Sequence, residues 1–406
     1  EAAAQAIFGA TPITGKLPVT VNTAFKYNDG ITTKALQRFE YTVPEAVGID
    51  SKYLGARIDS IVTTAIDRKA TPGAVVLVAK NGKVIFHKAY GKHTYEGNQK
   101  VALTDLYDLA SLTKVLSTLP NLMKDYEKGN FSFNSTLSQL LSNFKNSNKA
   151  DITVLDMLTH QAKLPAWTPF YLKTLDSLKK PSQKYYQTTP SEDFPLKVST
   201  NLYLRKDYTD TIMNIIKEAP LLPTKQYKYS DYAFILFKEY LEKFHHKSLD
   251  KLSDDNFYKM LGANYTSYNP LDKFELSTIM PSEIDTYYRY DTIQGYVHDM
   301  AAAMQGGVGG HAGLFSNSLD VAKIMQMYLQ KGTYGGHTYF SKETFDAFNT
   351  CYYKDNGVGF NAAEIDGFTG IGLKNINTRI QYLKGAVHFD TAPNKGTAVN
   401  IMVPLS

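Results

Sequence analysis

The first sharp signal along the chain is a row of apolar residues three and four apart, Leu54, Ile58, Ile61, Val62 and Ile66, which predicts an amphipathic helix from about Asp50. The period then changes. Ala74–Ala79 and Val84–Ala89 are β-branched runs joined around Asn81-Gly82, the pair that best accepts the positive φ angles of a two-residue turn, so they predict an antiparallel hairpin. Between about 105 and 260 the spacing is helical with long loops, including a polar, Lys-rich stretch at 174–199, and this stretch reads as an all-helical lobe. Helical spacing returns at Ser318–Gln330 through Val321, Ile324, Met325, Met327, Tyr328 and Leu329, and again over 343–348. The fold class that follows is α/β (α+β), an antiparallel sheet flanked by helices plus a helical lobe.

Composition narrows the picture by exclusion. Apolar residues make up 43% and charged residues 20% of 406, ordinary values for a folded globular chain. No apolar run approaches the roughly 18 residues that cross a bilayer, so no membrane span is expected. The net charge of +5 is spread over 44 basic and 39 acidic side chains with no clustered basic stripe, so no nucleic-acid partner is expected. A single cysteine, Cys351, allows neither an internal disulfide nor a thiolate zinc site. The opening Glu1-Ala-Ala-Ala has neither the basic nor the apolar region of a signal peptide, so the chain reads as cytoplasmic or as a piece of a longer precursor.

Acyl transfer by serine needs a hydroxyl, a base within reach and donors where the oxyanion forms. Ser-x-x-Lys at a helix start supplies the first two, because residues at i and i+3 share a face with Cβ atoms about 5–6 Å apart, and the helix N-terminus favours the alkoxide. Four segments fit: Ser111–Lys114, Ser142–Lys145, Ser177–Lys180 and Ser248–Lys251. Context selects the first. Leu106-Tyr107-Asp108-Leu109-Ala110 leads into it, and Val115, Leu116, Leu119 and Leu122 continue it as a buried stripe, whereas the others sit in polar surroundings that read as solvated surface. Tyr229-Ser230-Asp231 precedes the apolar run Ala233–Leu236. A phenol, with a reference pKa of about 10, needs a nearby cation to act as base or shuttle, and Lys114 is the candidate.

Together these residues resemble the penicillin-recognising serine hydrolases: class C β-lactamases, family VIII esterases and DD-peptidases. Ile152–Gln161, followed by Ala162-Lys163-Leu164, is similar to that group's segment ending in Thr-His-x-Ser-Gly-Leu, and Gly306–Ser316 resembles its glycine-rich segment before a late helix. The resemblance covers about residues 45–350. It implies Ser111 as nucleophile, Lys114 as general base, Tyr229 as proton shuttle and Asp231 orienting them, with the Ser111 N–H as one oxyanion donor. His160, Trp167 and His311 are the candidate substrate contacts. No cofactor or metal is implied, the partner is a small-molecule or peptide substrate, and the setting is periplasmic or extracellular. Asp231 stands where β-lactamases carry asparagine, and its charge would repel an anionic ligand, which favours ester or peptide substrates.

The resemblance breaks at the end of the chain. The family's Lys-Thr-Gly or His-Thr-Gly strand is missing, Glu364-Ile365-Asp366 occupying its slot before Gly367-Phe368-Thr369-Gly370. Residues 351–406 instead resemble the end of a histidine-kinase ATPase domain, through Asp355–Phe360, Gly370–Ile376 and the closing runs Gly385–Asp390 and Lys395–Ile401. A gene fusion, an assembly or cloning artefact, and divergence of the hydrolase's last strands are the three accounts. Either way the runs at 386–390 and 397–403 are expected to be strands, able to add to the hairpin at 74–89. Residues 1–44 read as a tail or linker, and Gly15–Thr20 resembles the end of a family 3 glycoside hydrolase, which implies a glycosidase upstream. The expected function is a serine hydrolase for ester, amide or cell-wall peptide substrates. The alternative is a non-catalytic module for cell-wall ligands, impaired by the missing third motif.

Overall fold

The computed structural model describes residues 2–353, 386–391 and 397–402. They fall into two units, one made of Glu1–Val43 and Gly55–Phe348, the other of Pro44–Leu54 and the described residues after Phe348. In the second unit Ala386–Thr391 and Thr397–Met402 form an antiparallel pair, Ala386 opposite Met402 and Thr391 opposite Thr397. The kinase-like boxes at 355–360 and 370–376 and the slot at 364–366 lie outside the described residues.

The first unit is a mixed α/β structure. Gly73–Lys80 and Lys83–Gly91 pair antiparallel, with Asn81 at φ 52° and Gly82 at φ 73° in the turn, the left-handed angles that Asn-Gly supplies. Glu40–Tyr41 joins in parallel on the other side, so Lys83–Gly91 is the central strand and Gly73–Lys80 has one partner among the described residues. The helix Ser51–Asp67, of which this unit holds Gly55 onward, turns one row inward there, Ile58, Val62 and Ile66, each four residues on. Ile61 falls off that row and is exposed. A second small sheet, Tyr107–Asp108, Leu314–Ser316 and Ser267–Tyr268, has Leu314–Ser316 at its centre, and Ser318–Leu329 follows it as a helix.

The lobe between about 105 and 260 contains the helices Leu119–Glu127, Tyr208–Glu218 and Tyr232–His245. It is not all helical. Leu196–Ser199 and Leu202–Leu204 form a hairpin that Tyr186–Gln187 joins, with Tyr186, Val198 and Leu204 buried. The core runs through Leu106, Phe144, Met157, Phe237, Leu241, Leu314 and Met327.

One irregularity positions the chemistry. Lys114–Thr118 is wound as a π turn ahead of Leu119–Glu127, with the Leu119 N–H reaching back to Lys114 O. Pro120 has no N–H to give Leu116 O. The Tyr258 hydroxyl donates to that oxygen instead, at 3.0 Å.

Candidate active site

Ser111 stands exposed at the head of this helix, directly after a backbone kink. Ala110 has φ 45°, the left-handed region that costs a non-glycine residue on the order of 1–2 kcal/mol. The kink is held from below by Asp108, whose Oδ1 accepts the Ala110 N–H at 2.8 Å and whose Oδ2 accepts the His298 N–H at 2.6 Å. Burial pushes the Asp108 carboxyl above its ordinary value, and those two N–H groups reverse this only in part. The Ser111 N–H donates to no group among the described residues.

Lys114 is 3% exposed, yet its amine is fully provided for. Nζ donates to Ser111 Oγ at 3.0 Å and to the His311 carbonyl at 3.1 Å, and lies 2.7 Å from Asp231 Oδ1. Three N–H donors meet three acceptors. The rings of Tyr229 and Phe234 flank it, their centroids 4.9 and 5.7 Å from Nζ, close enough for cation–π attraction.

The turn carrying Tyr229 and Asp231 is stitched to the segment 160–166. Lys228 N–H donates to His160 O at 2.8 Å, Ser230 N–H to His160 Nδ1 at 3.2 Å, and Asp231 N–H to Ala166 O at 2.8 Å. The Ser230 hydroxyl donates to Pro165 O at 2.6 Å. Two sequence motifs some distance apart thus form one piece. His160 adopts φ 57° there, and its ring lies 4.6 Å from that of Tyr229. Burial first, then the charge of Lys114, lowers the His160 pKa, so the ring is held neutral and Nδ1 stays an acceptor. The Tyr229 hydroxyl is exposed and hydrogen-bonds to neither Ser111 nor Lys114 among the described residues.

The ring of His311 lies behind the cleft wall, 1% exposed, with Nε2 2.8 Å from Asp299 Oδ1 and Nδ1 without a partner. Its main-chain oxygen is what reaches the lysine. The preceding glycines allow this close approach: a Cβ on Gly310 would sit 2.1 Å from Phe234 O, and Gly310 O itself accepts from Thr118 Oγ1 at 2.7 Å. Trp167 is 58% exposed at the mouth, in a pocket it shares with Asp231 and Asp299. A separate groove of about 640 Å³ runs between the Gly73–Lys80 strand, Leu112 and Val321.

Sequence reasoning missed Asp299, Asp108 and the His311 carbonyl. Asp299 had a readable signal, an N-cap aspartate before Met300-Ala-Ala-Ala, and it does cap that turn by accepting from Ala302 N–H. A carbonyl has no sequence signal at all. Among the described residues, no group of three or more His, Cys, Asp or Glu could hold a metal ion, and no helix is long and apolar enough to cross a membrane.

Comparisons with known proteins place the chain in a family. Residues 58–359 match the family model described as Beta-lactamase. An N-acetylmuramyl-L-alanine amidase of Bacillus subtilis is 32% identical over 68% of this chain and 63% of its own length, so the chain spans less than two thirds of that relative. A putative D-alanyl-D-alanine carboxypeptidase of Escherichia coli O157:H7 is 29% identical over 78% of this chain and 73% of its own. In three dimensions the octameric penicillin-binding protein homologue of Pyrococcus abyssi superposes with a TM-score of 0.53 at 18% identity, covering 75% of this chain and 63% of that one, a likeness of fold. With the family model matching most of its length and the fold agreeing, the chain belongs to the Beta-lactamase family.

Proposed function

We propose that this Beta-lactamase-family hydrolase cleaves an ester, amide or cell-wall peptide bond through an acyl-enzyme on Ser111. The observation that carries the reading is the buried Lys114 amine, 3.0 Å from Ser111 Oγ and 2.7 Å from Asp231 Oδ1. As an ammonium it donates three hydrogen bonds and has no lone pair. Passing one proton to Asp231 creates one. The amine then takes the Ser111 proton as Oγ bonds to the acyl carbon and the carbonyl electron pair moves onto oxygen, where the Ser111 N–H stabilises it. Collapse of that oxyanion expels the leaving group, which receives its proton from Lys114 by way of the Tyr229 hydroxyl. Water repeats the sequence, giving its proton to the amine, adding to the acyl carbon and releasing Ser111, which recovers a proton.

In this scheme Trp167 contacts substrate. His160 acts through the Tyr229 turn, and His311 acts through its carbonyl on Lys114. The names of the amidase and carboxypeptidase relatives support an amide or peptide acyl group, and a periplasmic or extracellular setting is proposed with it. The test is labelling with a fluorophosphonate or penicillin probe followed by peptide mass spectrometry. An adduct on Ser111 that disappears in Ser111→Ala is expected, and a folded protein left unmodified at Ser111 sinks the reading.

Two flanking segments are proposed as imports, residues 1–31 from a glycosidase end and 352–406 from a kinase ATPase end. Sequencing the native locus across both junctions tests this, an unbroken reading frame being expected and a frame break overturning it.

A further inference from the structure

Next to Lys114 lies a pocket to which the acyl-transfer scheme assigns no ligand, although two of its lining residues, Asp231 and Trp167, take part in that scheme. This pocket, of about 60 Å³, opens between Trp167–Tyr171 and the helix starts at Tyr232 and Met300. Its lining combines the carboxylates of Asp231 and Asp299 with the rings of Trp167, Tyr171 and Tyr232, and includes no lysine, arginine or histidine side chain.

Each carboxylate commits one oxygen to the protein. Asp231 Oδ1 faces Lys114 Nζ at 2.7 Å, and Asp299 Oδ1 accepts from His311 Nε2 and from Ala302 N–H, both at 2.8 Å. The two Oδ2 atoms accept nothing among the described residues, and the side chains are 23% and 35% exposed. Their partners lie behind them, Lys114 at 4% and His311 at 1% exposure. An entering solute therefore meets the anionic ends first and the basic groups only through them. Burial alone would raise the Asp299 carboxyl, but the charge and hydrogen bond of His311, the Ala302 N–H and Lys114 together hold it below the ordinary carboxylate range, so it stays ionised.

We propose that this pocket is a subsite for a primary ammonium group, so that the substrate carries a cationic amine beside its scissile bond. An ammonium brings three donors to a lining that offers free acceptors, and aromatic faces attract a cation within about 6 Å of the ring. A substrate carboxylate would meet two like charges there. The pocket is small, with room for an ammonium head and its first carbons, on the order of a few heavy atoms. The proposal rests on the Ser111 reading for its catalytic meaning, although the subsite can be tested without turnover.

Trp167 is the only tryptophan of the chain, so indole fluorescence reports this pocket alone. The experiment titrates Ser111→Ala protein, which holds ligand without consuming it, with n-propylammonium chloride, 1-propanol and sodium propionate at constant ionic strength. A saturable change with propylammonium is expected at concentrations at least about tenfold below those needed for propanol, a difference of 1.4 kcal/mol, with no response to propionate. Asp299→Asn, which retains an acceptor for Ala302 and His311, is expected to lose most of that preference.

Equal response to the alcohol, a response to propionate, or an ammonium preference undiminished in folded Asp299→Asn overturns the subsite. Should Asp299→Asn fail to fold, the ordering of the three solutes on Ser111→Ala protein decides alone. An ammonium response in a protein whose Ser111 takes no acylating probe would remove the hydrolase reading and leave the subsite standing. Labelling at Ser111 without an ammonium response would do the reverse.

Discussion

Asp231→Asn removes one negative charge and almost no volume from beside a lysine that is 3% exposed, and so isolates what the charge contributes. At the observed 2.7 Å the attraction between unit charges is roughly 6 kcal/mol with an effective dielectric constant of about 20. That is a gross figure, since both groups lost hydration on burial. Deleting one partner of a fully buried pair costs about 3–5 kcal/mol. Asp231 is 23% exposed, so water replaces part of what Lys114 loses, and Asp231→Ala should cost the smaller sum of about 2–3 kcal/mol. Asparagine retains an oxygen that accepts from Nζ and should cost about 1–2 kcal/mol.

In the proposed scheme activity should fall further than stability, because an amide cannot take the proton that the scheme passes to residue 231. The expected loss is about 10²- to 10⁴-fold in the rate of acylation. The assay is the pseudo-first-order rate of fluorophosphonate labelling at Ser111 in wild type, Asp231→Asn and Asp231→Ala, with urea unfolding of each alongside. Labelling of Asp231→Asn within about threefold of wild type would refute the reasoning, since a group that accepts a proton in the acylation step cannot be removed at so small an effect.

The remaining predictions concern the parts that hold this trio. Tyr229→Phe keeps the ring 4.9 Å from Lys114 Nζ and removes only the hydroxyl, so turnover of an alkyl ester or peptide, whose leaving group needs a proton, should drop about 10²-fold or more with KM little changed, whereas wild-type kcat would show that the phenol carries no proton. His160 has a lowered pKa, so as the pH falls below about 6.5 the unfolded chain binds a proton before the folded one does, and stability should decline until the folded imidazole is itself protonated. His160→Asn, which can still accept from the Ser230 N–H, should flatten that decline in urea midpoints measured between about pH 8 and 5, and an unchanged slope would count against it. Gly310→Ala places a Cβ 2.1 Å from Phe234 O and 2.9 Å from Lys238 Cβ, so the loop must shift, costing about 1–3 kcal/mol and slowing Ser111 labelling as the His311 carbonyl leaves Lys114. Thermal unfolding and labelling check both effects, and undiminished labelling would show that this carbonyl is dispensable.

Where an element depended on period or on turn chemistry, the sequence revealed it. Asn81-Gly82 specified its hairpin because few other pairs accept two left-handed residues in succession. Ser111–Lys114 stood out from three competitors because only its flanks supplied the stripe of Val115, Leu116, Leu119 and Leu122, of which Leu116 and Leu122 are buried, Leu119 is half-buried and Val115 is exposed. Ile61, Met325 and Leu329 fitted the helical spacing yet are exposed, because spacings of three and four sweep out a wider arc than either helix buries. The sheet at 186–204 was hidden by short strands inside polar loops. The left-handed Ala110 had no signature, since alanine does not ordinarily adopt that conformation and Asp108 imposes it through a hydrogen bond. Residues defined by a long-range contact, such as Asp299 on His311, were out of reach of any local pattern.

Ring faces, a carbonyl and a carboxylate all converge on Lys114 Nζ. Only one of those neighbours can accept a proton and hold it, and that is the carboxylate at 231. In the proposed scheme an asparagine in its place, the residue β-lactamases carry there, would preserve the hydrogen bond but could not take the proton, so Asp231→Asn separates the two roles of this side chain. On the same proposal its charge lines the adjoining pocket together with Asp299, where a ligand bearing a negative group would work against the two carboxylates and an amine would complement them.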